Sequence, residues 1–293
     1  MALTVRYPKI DYADIHAHWA PNVAFAQHNN ATSLIPTPVE PWLIKVMHAS
    51  LARLPERDAA LREDVQGFIG QESQHFRQHR MFNAVLIAQG YPDLADHERA
   101  LAADLDGFLK DRSLKFQLAY ADGFESLGAV QAGVWFERSD AFLEGADGKM
   151  TALWKWHMAE EFEHRTVCYD LYHALFGRGA WNAVVNGYFY RLYGFLYAMF
   201  HLQGYMARML AYMLDIDRQT MSAAQKAKLD EDLKALRAFQ RSTALPQLLK
   251  NFLPWYNPAR KRAPKGMETY LRAFEPGGAM ARPERGGPAA AEV

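Results

Sequence analysis

The chain has 293 residues, 50% of them hydrophobic, with 33 basic and 33 acidic side chains and a single cysteine, Cys168. Zero formal net charge excludes a broad electrostatic attraction to nucleic acid, and one cysteine excludes an internal disulfide, which fits a cytoplasmic location. One core can serve a chain of this length, and the opening MALTVRYPKIDYADIHAHW lacks the basic, apolar and small-residue order of a secretion signal.

Residues 1–36 read as an irregular arm, punctuated by Pro8, Pro21, Asn29-Asn30 and Pro36. Thr37-Pro38 reads as an N-cap with proline at the first helical position, opening a helix just before Glu40. Pro55 interrupts it, and a second helix runs from about Asp58 to Gly90, where Gly90-Tyr91-Pro92 stops it. A crossover over 93–111 precedes a third helix from Ser113 to about Asp140. Gly145 to Gly148 turns the chain into a fourth helix, expected to end at Gly177. From Trp181 to Leu214 there is no Asp or Glu, and aromatic residues crowd the segment. It is long enough to span a bilayer, but Arg191 and Arg208 argue for a helix that covers the bundle or forms a face between two copies. Peripheral membrane contact is the alternative. A solvent-facing helix is expected at 221–240, and an irregular tail over 257–293, with Pro276 to Val293 disordered. The whole predicts one all-α domain over 37–256, a four-helix bundle with additional C-terminal helices.

The candidate chemistry lies on the four helices. Glu-x-x-His occurs at Glu72/His75 and again at Glu161/His164, and a free-standing Glu precedes each, Glu40 and Glu125. Spacing of three places the carboxylate and the imidazole on one helix face. One such motif is commonplace, but the four-part order is the ligand set of a di-metal carboxylate bundle, in which two helices give Glu and two give Glu-x-x-His. Steps of three and four also set each of these residues among apolar ones, as in Val65, Phe68, Glu72, His75, His79, Phe82 and Leu86. Charge on such a stripe needs a cation or a buried ion-pair network.

Within Glu160-Glu161-Phe162-Glu163-His164 the register selects Glu161, and leaves Glu160 and Glu163 solvated or bonded around the ligands. His157 stands one turn before Glu161 and is expected as a third imidazole ligand, or else as a histidine that orients one. His79, one turn after His75, is expected to hold a ligand in place. Cys168 falls on the inward stripe as a small buried hydrophobe. Small residues around Glu125, among them Gly123, Gly128 and Gly133, either leave space beside the metals or let helices pack closely. Arg260-Lys261-Arg262 with Lys265 reads as a solvated loop.

FIGQESQHFRQH, from Phe68 to His79, and WHMAEEFEH, from Trp156 to His164, resemble a bacterial family of predicted metal-dependent hydrolases over roughly residues 35–260. Relatives often carry Glu-His where this chain has Glu125-Ser126. The site also resembles that of ferritin-like di-iron oxygenases, and His-x-x-x-Glu-x-x-His is similar to the third-histidine arrangement of the p-aminobenzoate N-oxygenase group. That resemblance implies two irons held by Glu40, Glu72, His75, Glu125, Glu161, His164 and His157, with Mn or mixed Mn/Fe as the alternative. The leading expectation is an oxygenase or oxidase that takes dioxygen, a small apolar organic substrate and electrons from a donor protein. A di-metal hydrolase and a non-catalytic iron-handling bundle remain as alternatives.

Overall fold

A computed structural model describes residues 3–281. Its helices in chain order are α1 (Val23–Ser33), α2 (Pro36–Leu51), α3 (Ala59–Ala88), α4 (Leu94–Asp111), α5 (Leu114–Glu137), α6 (Asp140–Leu143), α7 (Gly148–Glu163), α8 (Val167–Phe176), α9 (Ala180–Val184), α10 (Arg191–Thr220), α11 (Ala223–Leu248) and α12 (Met267–Phe274). Among the described residues there is no strand, only an isolated bridge between Pro8 and Ala281. The chain is all-α.

Four helices, α2, α3, α5 and α7, surround a common interior, and α10 lies along α5. Local chemistry sets several of their ends. Ser113 accepts a hydrogen bond from the Phe116 amide at the start of α5, and Asp147 accepts from Lys149 and Met150 at the start of α7. The entry to α2 differs from expectation, because Pro36 is already helical and the cap is Ile35, two residues before the Thr37 that the sequence favours.

Three stretches expected to be irregular or unspecified are helical. α1 forms within the arm because Asn22 caps it and its low-propensity residues are satisfied from elsewhere. Asn30 donates to Ala17 O and accepts from Trp19 Nε1, each at 2.8 Å. The crossover over 93–111 is the amphipathic α4, which buries Leu94, Leu101, Leu105 and Phe108. α12 lies in the region expected as tail, and buries Met267, Leu271 and Phe274 on one face against α7. Full burial of such side chains stabilises by about 1.5–3 kcal/mol each. Residues 276–281 form turns, and the rest of the expected tail lies outside the described residues.

The fourth helix does not run unbroken to Gly177. It stops at Glu163 with His164 as its C-cap, and resumes at Val167. Arg165 turns back to donate to Phe162 O at 2.6 Å, satisfying a carbonyl that the break frees. No Gly or Pro marks the break.

The acid-free aromatic segment runs from α9 through a π-helical turn, Val185–Tyr190, into α10. Its approach to α5 is close: a methyl group on Gly194 would meet Ala119, and one on Gly123 would meet the Phe195 backbone and Ala198. The outer face leaves Trp181, Val184, Phe189, Tyr193 and Phe200 exposed. No described helix is long and apolar enough to cross a membrane.

Candidate metal centre

Each of the four inner helices brings acid or imidazole to one buried place. Glu40 comes from α2, Glu72 and His75 from α3, Glu125 from α5, and His157 and Glu161 from α7, with His164 at its C-cap. None of these residues is more than 2% exposed. They form two groups in which one donor atom per residue lies within 4.8 Å of every other: Glu40, His75, His157 and Glu161 in one, and Glu72, Glu125, Glu161 and His164 in the other. Glu161 belongs to both.

One hydrogen bond joins the donor atoms, between His157 Nε2 and Glu161 Oε1 at 2.9 Å, and the others face one another without any. Both oxygens of Glu40, Glu72 and Glu125, together with Glu161 Oε2, His75 Nδ1 and His164 Nε2, are buried and have no hydrogen-bond partner. Yet His164 Nε2 lies 3.1 Å from Glu125 Oε2 and 3.3 Å from Glu72 Oε1, and His157 Nε2 lies 3.6 Å from Glu40 Oε1. Two atoms bound to one ion at about 2.1 Å and at right angles to each other stand about 3 Å apart. Buried carboxylates without partners are costly, and two divalent cations would balance the four negative charges. The residues therefore fit a pair of metal ions.

Electrostatics point the same way. Burial and then the neighbouring carboxylates push Glu40 and Glu125 well above the ordinary carboxylate range, and burial with repulsion from Glu161 takes Glu72 to about 8. Burial acts against ionising Glu161 too, but the hydrogen bond with His157 and the charge of the nearby His164 and His157 imidazoles outweigh it and lower its pKa. Burial opposes a charge on His164 as well, and Glu125 and Glu161 overcome it to raise His164 well above its usual value.

Each imidazole is anchored by the nitrogen that faces away from the cluster. His75 Nε2 lies 2.9 Å from Glu160 Oε2, and Glu160 Oε1 accepts from Arg6 Nη1 at 2.9 Å. His164 Nδ1 lies 2.9 Å from Gln71 Oε1, and Gln71 in turn donates to Glu163. His157 Nδ1 lies 2.6 Å from His79 Nε2, and His79 Nδ1 lies 2.7 Å from Ser33 Oγ. Such partners fix the tautomer and ring orientation of a metal-binding histidine.

Of the two alternatives for Glu160, solvation is excluded, since it is fully buried between His75 and Arg6. Glu163 is part-buried and bonded to Arg6 and Gln71. Cys168 is a buried free thiol, its pKa pushed up by burial. Sequence reasoning missed Arg6, Gln71 and Ser33. Only Gln71 gave a signal, one turn before His75 and beside Glu72.

A model of the family described as predicted metal-dependent hydrolase matches residues 4–262. The chain belongs to this family of predicted metal-dependent hydrolases. No curated protein and no solved structure matches it. The family match takes in Arg6, so the arm that braces Glu160 and Glu163 falls within the matched residues.

A cavity of about 360 Å³ reaches the first donor group, with His157 and Glu161 in its lining. Trp135, Trp154, Phe124, Leu202 and Met206 give it apolar walls, and the exposed side chains of Arg237 and Arg241 on α11 also border it. Gly128 is where the cavity, α5 and Glu161 converge: a Cβ there would collide with the Glu161 carboxylate. Of the small residues around Glu125, Gly128 makes room at the site, whereas Gly123 serves the contact with α10.

Proposed function

We propose that the chain is a two-metal enzyme in which Glu40, His75 and His157 hold one ion, Glu72, Glu125 and His164 hold the other, and Glu161 is shared. The observation that carries this reading is the set of buried carboxylate and imidazole atoms without hydrogen-bond partners, gathered in two groups. Oxygen and nitrogen donors rich in carboxylate favour iron or manganese. Such a pair supplies Lewis acidity and lowers the pKa of water toward neutrality. Glu160, Gln71 and His79 keep the three imidazoles presented to it.

Hydrolysis is the reaction class that the family description supports. The substrate we assign has a small apolar body, seated against Trp135, Trp154 and Leu202, and an anionic or strongly polar end near Arg237 and Arg241. The cavity volume lies at the small end of ligand pockets, so the substrate is a small molecule rather than a chain that threads the protein.

A second reading, oxidation by dioxygen with electrons from a donor protein, is favoured by one observation. Glu from two helices and Glu-x-x-His from two others is the arrangement of di-iron and di-manganese carboxylate bundles. One comparison separates the readings. Protein loaded with iron or manganese is assayed for cleavage of small apolar esters and amides bearing a carboxylate, and its reduced form for oxygen uptake. Metal-dependent cleavage without oxygen uptake supports hydrolysis, and oxygen uptake without cleavage transfers the assignment to oxidation. Absence of bound transition metal after reconstitution would remove both.

A further inference from the structure

α5 and α11 border a second cavity, of about 650 Å³, whose lining is completed by the chain from Lys250 to Pro264. Its polar chemistry is lopsided. Arg138, Lys250, Arg260, Lys261 and Arg262 line it, with Glu137 as the one acid. Among the described residues none of these five cations is ion-paired: Lys250 donates to the Gln247 side chain and Arg260 to Trp255 O.

Lys261 sharpens the point. The sequence reading placed it in a solvated loop, but its Nζ is buried and has no hydrogen-bond partner. An ammonium held that way is costly unless an anion meets it. Burial, followed by repulsion from Arg165 and Lys250, lowers its pKa to about 8. Apolar walls come from Val130 and Val134 of α5 and Phe162 of α7, and Trp255 lies 64% exposed in the lining.

We propose that this cavity binds a phosphate-bearing metabolite with a planar body, of nucleotide size, its phosphates among Lys250, Arg260 and Lys261 and its ring against Trp255. Guanidinium and ammonium groups together are the usual receptors of phosphate, and a cavity of this volume takes more than a phosphate ion alone. The site is separate from the metal centre and does not depend on how that centre is read.

Calorimetric titration of the metal-loaded protein with inorganic phosphate, pyrophosphate and ADP tests the assignment. Pyrophosphate and ADP should bind saturably, and ADP more tightly than phosphate. Lys261→Met, which removes a buried charge without removing bulk, should weaken both by about tenfold or more, and Arg260→Met should do likewise. Trp255→Ala should weaken ADP and leave pyrophosphate unchanged. Binding that survives undiminished in Lys261→Met would place the anion on the metal ions and overturn the proposal. No saturable binding below about 1 mM, a Trp255→Ala protein that binds ADP as well as before, or affinity only for vesicles of anionic lipid would each overturn it as well.

Discussion

His79 Nε2 and His157 Nδ1 meet at 2.6 Å, and the direction of that hydrogen bond decides which nitrogen of His157 faces Glu40 and Glu161. The direction follows from the network. Asn83 donates its amide hydrogens to Ser33 O and Glu98, so its Oδ1 accepts from Ser33 Oγ, which in turn accepts from His79 Nδ1. His79 must then accept from His157 at Nε2, which leaves His157 Nε2, 2.9 Å from Glu161 Oε1, to offer its lone pair to a cation bound at the cluster. Burial holds His79 well below its usual pKa, so it stays neutral and able to accept.

Replacing His79 should therefore act on metal affinity without touching a donor. His79→Phe should weaken binding of the first ion about 10- to 100-fold, while His79→Gln, which can still accept from His157, should recover part of it. Metal content against a competing chelator is the measurement. Equal affinity in His79→Phe and wild type would show that the chain does not orient His157.

Glu160 makes the same argument from the opposite side. Glu161→Ala removes a donor shared by both groups and should abolish most metal binding, whereas Glu160→Gln leaves all seven donors in place. It should lower affinity about 10- to 100-fold, because His75 loses a charged acceptor and the buried Arg6 loses one counter-charge. Elemental analysis of the two variants ranks them, and a Glu160→Gln protein that loses metal as completely as Glu161→Ala would make Glu160 a ligand.

That these seven side chains share one buried interior was legible because helical periodicity alone sets Glu72, His75 and His79, or His157 and Glu161, on one face, and the helices that carry them have strong stop and start signals such as Gly90-Tyr91-Pro92. What braces them was not legible. Arg6 reaches Glu160 from 154 residues away, and no local pattern encodes such a contact. α1 and α12 were missed because Asn29-Asn30 and the Pro and Gly residues near the end read as turn chemistry, while burial and long-range hydrogen bonds decide these segments. The break at His164 was hidden because Arg165, rather than a Gly or Pro, closes the helix end.

Gly128 offers a test that adds one methyl group and removes nothing. A Cβ at this position would collide with the Glu161 carboxylate, while one on Gly133, on the same helix, would meet nothing within 4 Å. Gly128→Ala should displace Glu161, lower metal content by about half or more and cost about 1–3 kcal/mol through overpacking. Gly133→Ala should retain metal and gain up to about 1 kcal/mol from helix propensity. Thermal denaturation and metal analysis of the pair give the answer, and two variants alike in both would mean that the carboxylate moves aside freely.

Removing the metal should reverse how stability depends on pH. Without cations, Glu72 titrates near 8 when folded against about 4.5 as the ordinary value, and Glu40 and Glu125 are raised in the same sense. Between those two pH values the folded state holds protons that the unfolded state has released, so stability falls as pH rises. His164, raised in the folded state, adds to the fall as pH climbs above its usual value. Glu161, lowered, contributes in full above pH 4.5 and so adds no slope here, whereas His157 and His79, also lowered, gain stability as pH rises to about 6.5, which offsets part of the trend. With metal bound, cations replace those protons, and binding strengthens with pH because the carboxylates no longer hold them. The melting temperature of the chelated protein should thus drop from pH 5 to pH 8, while that of the loaded protein holds or rises, and metal uptake at pH 7 should release protons. Melting curves that run parallel with and without metal across this range would contradict a cation-balanced cluster.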